Sequence, residues 1–216
     1  MSSISPRCKL PRFYPILDAG LLQKSGIPLE EFALGLREAG IRFLQYRDKD
    51  ASDELVLKRV ALLRHLFPSS DTCLILNDRV PLVTPAKCEG VHVGQEDPSP
   101  LAVRSSLGNQ VLLGVSTHGE AQVLIAAEGP ADYIAIGPVF ATSSKRAPDP
   151  LIGLEGVRLA RRLTTKPLVA IGGISRSNCA SVIDAGADSV AIISDLVPRS
   201  APTVAERVME FNAALR

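Results

Sequence analysis

Short apolar runs alternate with amphipathic stretches along the whole chain. The runs are Phe13–Leu17, Ile41–Tyr46, Cys73–Leu76, Gly90–Val93, Val111–Val115, Tyr133–Ile136, Leu168–Ile171 and Ser189–Ile193, each read as a strand. Helical patterns lie between them. In Ala51–Phe67, Ser52 supplies a cap and Asp53 and Glu54 an acidic first turn, while Val56, Val60, Leu63 and Phe67 share one face. Pro28 opens another helix from the tolerated first position. Gly119–Ala127, Leu154–Leu163, Asn178–Ala185 and Thr203–Leu215 repeat the theme, and Val80–Ala86 and Leu101–Leu107 are shorter candidates.

Strands that alternate with helices imply parallel βαβ units, and eight of them predict a single α/β domain of the closed (β/α)8 barrel type. An open doubly wound sheet is the alternative. It ordinarily carries a GxGxxG after its first strand, where this chain has Asp18-Ala-Gly-Leu-Leu-Gln23. Residues 1–12 are expected to form a poorly ordered extension, with the barrel over 13–216.

The 216 residues are 46% apolar and 22% charged, ample for one large core and incompatible with disorder over the bulk of the chain. Lys and Arg number 24 against 23 Asp and Glu, so the basic excess that a nucleic-acid partner would require is missing. No apolar run approaches the roughly 18 residues of a membrane span. The start, MSSISPRCKLPRF, lacks the apolar core of a signal peptide, so a cytoplasmic location is expected. Cys8, Cys73, Cys88 and Cys179 lie far apart without a CxxC pair, and each reads as an unpaired thiol.

In a barrel, chemistry belongs at the C-terminal ends of the strands. Those ends carry Gln45-Tyr-Arg-Asp-Lys49, Asn77-Asp78-Arg79, His92-Val-Gly-Gln-Glu-Asp97, Ser116-Thr-His118, the loop running to Lys145, Gly172-Gly173 and Ser194-Asp195. Gly172, Gly173 and Ser194 fit a phosphate site built from backbone amides. Arg47, Lys49 and Lys145 would converge on a more highly charged anion such as a diphosphate. Asp78 and Asp97, on adjacent strands, would complete a Mg²⁺ site with diphosphate oxygens. The competing reading, in which each Asp caps a helix or pairs with Arg47 or Arg79, explains either one better than it explains both. His92 and His118 are candidate bases, His92 being as readily structural, and His65 reads as a surface residue.

Seven segments in order, QYRDK (45–49), LNDRV (76–80), GVHVGQED (90–97), GVSTH (114–118), DYIAIGPVFATSSK (132–145), VAIGGI (169–174) and AIIS (191–194), resemble the thiamine-phosphate synthase family over about residues 13–211. The resemblance implies a transferase that joins hydroxymethylpyrimidine diphosphate to thiazole phosphate, with Mg²⁺ as cofactor and small molecules as its partners. It implies pyrimidine-diphosphate ligands in Gln45, Arg47, Lys49, Asn77, Ser116 and Lys145, among which Arg47, Lys49, Ser116 and Lys145 are the catalytic candidates. Tyr46 and Asp48 are counted with that site, Tyr46 as a packing residue and Asp48 as orienting the neighbouring cations. Asp78 and Asp97 take the metal, and Thr142, Ser143, Ser144, Gly173, Ile193 and Ser194 take the thiazole phosphate.

Three departures stand out: Ser144 in a segment where the family has Thr-x-Thr-Lys, Pro98 directly after Asp97, and Asp48 where Glu is common. None removes a charge that the chemistry needs. A thiazole tautomerase of the same fold and a non-catalytic barrel that binds thiamine precursors are the alternatives. Carboxylation of the thiazole, a homodimer and a role for the cysteines stay open.

Overall fold

In the computed structural model, which describes residues 8–142, 150–198 and 203–216, eight parallel strands close into a barrel in chain order. They are β1 (Phe13–Asp18), β2 (Phe43–Arg47), β3 (Cys73–Asn77), β4 (Gly90–Val93), β5 (Leu112–Thr117), β6 (Tyr133–Ile136), β7 (Leu168–Ile171) and β8 (Ser189–Ile192). Closure comes from β8 pairing with β1, with Val190 opposite Phe13 and Ile192 opposite Pro15. The helices are α1 (Ala19–Lys24), α2 (Leu29–Glu38), α3 (Asp53–Leu66), α4 (Pro100–Leu107), α5 (Glu120–Glu128), α6 (Gly153–Leu163), α7 (Cys179–Asp184) and α8 (Val204–Ala214). No helix among the described residues is long and apolar enough to cross a membrane.

The strands are apolar on both faces because each face packs against something. Tyr14, Ile16, Phe43, Cys73, Ile75, Leu112, Tyr133, Ala135, Val169 and Ala191 fill the barrel interior. Their alternate neighbours, such as Leu17, Leu44, Leu74, Leu76, Val91 and Leu113, pack outward against the helices. Bulk inside is balanced by glycine: a Cβ at Gly114 would lie 2.0 Å from Cζ of Tyr133, and one at Gly90 2.5 Å from Cδ1 of Ile75.

Two elements differ from expectation. After β1, where the sequence reads as loop, the Asp18 carboxylate accepts the amide of Leu21 and starts the extra helix α1. After β3 only a 3-10 turn forms at Val80–Leu82, because Pro81 and Pro85 deny the backbone donors a longer helix needs.

The cysteine reading is corrected for one pair. Cys8 and Cys73 form a disulfide, with Cα atoms 5.3 Å apart, while Cys88 and Cys179 are free and buried. Burial pushes the Cys88 thiol up to about 12, so it is inert. Spacing could not reveal the bridge, because it joins residues 65 positions apart through the N-terminal end of β3. Of the expected N-terminal extension, residues 1–7 lie outside the described residues. Beyond them Cys8 is buried, and the Arg12 guanidinium donates to the carbonyl of Leu215.

Closing a loop of that length removes denatured-state entropy worth about 4 kcal/mol in the chain-entropy model. Cys8→Ser should therefore lower the urea midpoint of oxidised protein, and a reductant should lower the wild type to meet it. Coincident unfolding curves of oxidised wild type and variant would show that the bridge contributes nothing.

Candidate functional site

Period-two alternation decides which strand-end residues reach the barrel mouth. Along β2, Phe43 and Gln45 point inward, so Arg47 follows them, while Tyr46 points outward into the helix layer. There the Tyr46 hydroxyl donates to Asp48, which is also ion-paired with Arg59 of α3. The structure thus separates Tyr46 and Asp48 from the other residues of QYRDK. The cation that Asp48 orients is Arg59, where Arg47 or Lys49 was expected. The alternation itself carried that signal.

Arg47 forms an ion pair with Asp18, its register partner on β1. Asp18 is 8% exposed and uses its second oxygen to cap α1, so a single buried carboxylate both starts a helix and aims a guanidinium across the mouth. Lys49 pairs with Asp78. The loop that carries Lys49 is held from β3: Arg79 pairs with Asp53 and donates to the carbonyls of Lys49 and Ala51 at 3.2 and 2.8 Å. Asp18 and Arg79 are positioning residues that the sequence reading did not single out.

Asp78 sits at φ 63°, a left-handed conformation that Asp tolerates better than most residues, and its amide donates to the carbonyl of His92 at 2.8 Å. That turn brings its carboxylate close enough to Asp97 for the two charges to act on each other. Burial raises the Asp97 carboxyl above its usual range, the amide of Gly94 opposes this from 2.7 Å, and the neighbouring Asp78 charge adds to the rise. Neighbouring carboxylates disfavour each other's charge, and a cation beside them relieves this, as the Lys49 ammonium does for Asp78. Among the described residues no His, Cys, Asp or Glu joins them as a third ligand.

Gln45, Asn77 and Ser116 face inward at or near the C-terminal ends of β2, β3 and β5. His92, on β4, bonds Ser116 Oγ through Nε2 at 2.8 Å and Tyr133 through Nδ1 at 2.9 Å. Burial pushes its pKa down to about 4, so the ring is neutral at physiological pH. His118 contacts the carbonyl of Gly137 at 2.6 Å instead.

The opposite half of the mouth is built from β6, β7 and β8. Gly172 and Gly173 have φ of 98° and 64°, and a Cβ on Gly173 would lie 2.4 Å from the carbonyl oxygen of Ala141. The double glycine therefore lets the loop after β6 lie directly on the end of β7, where Phe140 donates to the carbonyl of Gly172. Gly173, Ile193 and the exposed Ser194 end β7 and β8 on this side, together with the half-buried Thr142. Ser143, Ser144 and Lys145 lie outside the described residues. The stem of their segment is pinned by Ile152 and Gly153, which donate to the carbonyls of Pro138 and Val139.

Comparison with known proteins identifies the family. A family model described as thiamine monophosphate synthase matches residues 13–196. A thiamine-phosphate synthase of Koribacter versatilis is 50% identical over 191 residues, covering 88% of this chain and 90% of that protein. One from Chloroflexus aurantiacus is 40% identical over 91% of this chain and 89% of its own length. The solved thiamine phosphate pyrophosphorylase of Pyrococcus furiosus superposes with a TM-score of 0.83 at 29% identity, covering 97% and 96% of the two chains. With the closed barrel and the ordered strand-end residues, these matches establish that the chain belongs to the thiamine monophosphate synthase family, whose members are transferases.

Proposed function

We propose that the protein condenses hydroxymethylpyrimidine diphosphate with thiazole phosphate, forming thiamine phosphate and releasing diphosphate. The observation that carries this reading is the division of the mouth. Arg47, Lys49, Asp78 and Asp97 gather on the β1–β4 side, and the double glycine after β7 and Ser194 after β8 lie across from them. Two anionic substrates of different charge would meet over the barrel axis.

The Asp78–Asp97 pair fits Mg²⁺. Both ligands are hard oxygens, and the cation would relieve their mutual repulsion; water and substrate phosphate would complete its coordination beside the two carboxylates. When bound, the metal neutralises negative charge on the diphosphate oxygens. Arg47 and Lys49, with Lys145, bind the same leaving group and stabilise the charge that grows on it as the C–O bond breaks. The electron-rich aminopyrimidine delocalises the positive charge left on its methylene, and the thiazole nitrogen captures it. No protein nucleophile is needed, which agrees with a buried His92 whose two ring nitrogens are already bonded to Tyr133 and Ser116. Arg47 and Lys49 come already paired with Asp18 and Asp78, so the cations are oriented before substrate arrives.

Incubation with both substrates and Mg²⁺, followed by chromatography, should show thiamine phosphate. No product with both substrates present would overturn the assignment. Rearrangement of thiazole phosphate alone would favour the tautomerase.

A further inference from the structure

Across the barrel interior runs one unbroken hydrogen-bond chain, Gln45–Tyr14–Tyr133–His92–Ser116. The Gln45 amide nitrogen donates to the Tyr14 hydroxyl at 2.8 Å, and the Tyr14 and Tyr133 hydroxyls are 3.1 Å apart. Tyr133 reaches Nδ1 of His92 at 2.9 Å, and Nε2 of His92 reaches Ser116 Oγ at 2.8 Å. Its two ends are strand-end residues assigned above to the pyrimidine diphosphate. Its three middle members are buried and do no chemistry in that mechanism.

We propose that Tyr14, Tyr133 and His92 are positioning residues that fix the hydrogen-bond polarity of the pyrimidine site from below. The polarity follows from counting protons. An amide nitrogen only donates, so Tyr14 accepts from Gln45; among the described residues the one other partner of its hydroxyl is Tyr133, and its single proton goes there rather than being buried without an acceptor. Tyr133 must then place its own on Nδ1 of His92. A neutral imidazole with an accepting Nδ1 carries its proton on Nε2, which donates to Ser116. The Ser116 hydroxyl is left with its proton unspent and faces the substrate as a donor. Reversing any one link would set two donors or two acceptors against each other in a dry interior, so the chain moves as a unit.

Packing supports the assignment independently. A Cβ on Gly114 would lie 2.5 Å from Nδ1 of His92 and 2.3 Å from the Tyr133 hydroxyl. The glycine between β4 and β6 is therefore what lets these two side chains meet. Burial also keeps the Tyr14 and Tyr133 hydroxyls protonated far above their usual range, so both remain donors.

This inference rests on the proposed function for its kinetic consequence but not for its structural one, and the test separates the two. In ¹⁵N-histidine-labelled protein without substrate, the NMR shifts of His92 should report protonated Nε2 and bare Nδ1. Protonated Nδ1 would overturn the polarity whatever the enzyme does. In the kinetic arm, Tyr133→Phe should lower kcat/KM for the pyrimidine diphosphate about tenfold, the equivalent of one misplaced hydrogen bond, with the KM for thiazole phosphate within about twofold. His92→Gln, whose amide N–H falls near the position of Nε2, should recover most of what His92→Ala loses. Tyr14→Phe repeats the test should Tyr133→Phe fail to fold. Equal losses toward both substrates, or no recovery in His92→Gln, would reduce the chain to core packing.

Discussion

Asp97→Asn should lower turnover by about 10³-fold or more at ordinary Mg²⁺ concentrations, with the melting temperature unchanged. The substitution keeps the volume, and its amide oxygen can still accept the Gly94 N–H, so the loop after β4 retains its shape. What it removes is one of two negative charges that together would hold the cation against the leaving diphosphate. Asp78→Asn should be as severe, since Asn tolerates the left-handed backbone at that position, but it also releases Lys49 from its ion pair. Asp97→Asn is therefore the cleaner variant. Partial recovery at raised Mg²⁺ would mark the residue as a metal ligand, and full activity at ordinary Mg²⁺ would rule out a metal held by this pair.

Lys145→Ala should lower kcat by about 10²–10³-fold, the usual cost of deleting one preorganised charge contact at a site where charge develops. A lysine in a polar loop such as TSSKRAPDP is ordinarily solvated, and its removal then changes little. The stem of this loop is fixed on the end of β7 through Phe140 and Gly172, which places its point of departure at the mouth. Lys145→Arg should restore only part of the rate, because a planar fork does not place its charge where an ammonium does. Turnover within about threefold of wild type in Lys145→Ala would make the lysine a bystander.

The barrel was legible because its strands are apolar on both faces and appear as uninterrupted runs. Observed and expected strands differ mostly by a residue or two, as at β2, where Ile41 and Arg42 precede the paired segment. The first helix was not legible, since its only signal is the carboxylate of Asp18 acting as a cap. Nor was the pairing of Cys8 with Cys73, or of Arg47 with Asp18, for such contacts depend on barrel closure and register. The strand-end cations and carboxylates could be listed from sequence. Their sorting into inward Gln45 and Arg47 and outward Tyr46 and Asp48 needed only the alternation of a strand. The chain through Tyr14 and Tyr133 gave no sequence signal, because a buried tyrosine in a strand looks like core until its hydroxyl partner is known.

The stoichiometry of diphosphate release, measured with each precursor alone and with both together in the presence of Mg²⁺, tests the two-site mouth most directly. Both precursors together should give sustained turnover, with one diphosphate released per thiamine phosphate formed, and neither alone should sustain it. Thiamine phosphate formed without diphosphate release, or multiple turnovers of the pyrimidine diphosphate in the absence of the thiazole, would contradict the division of the mouth into two substrate sites.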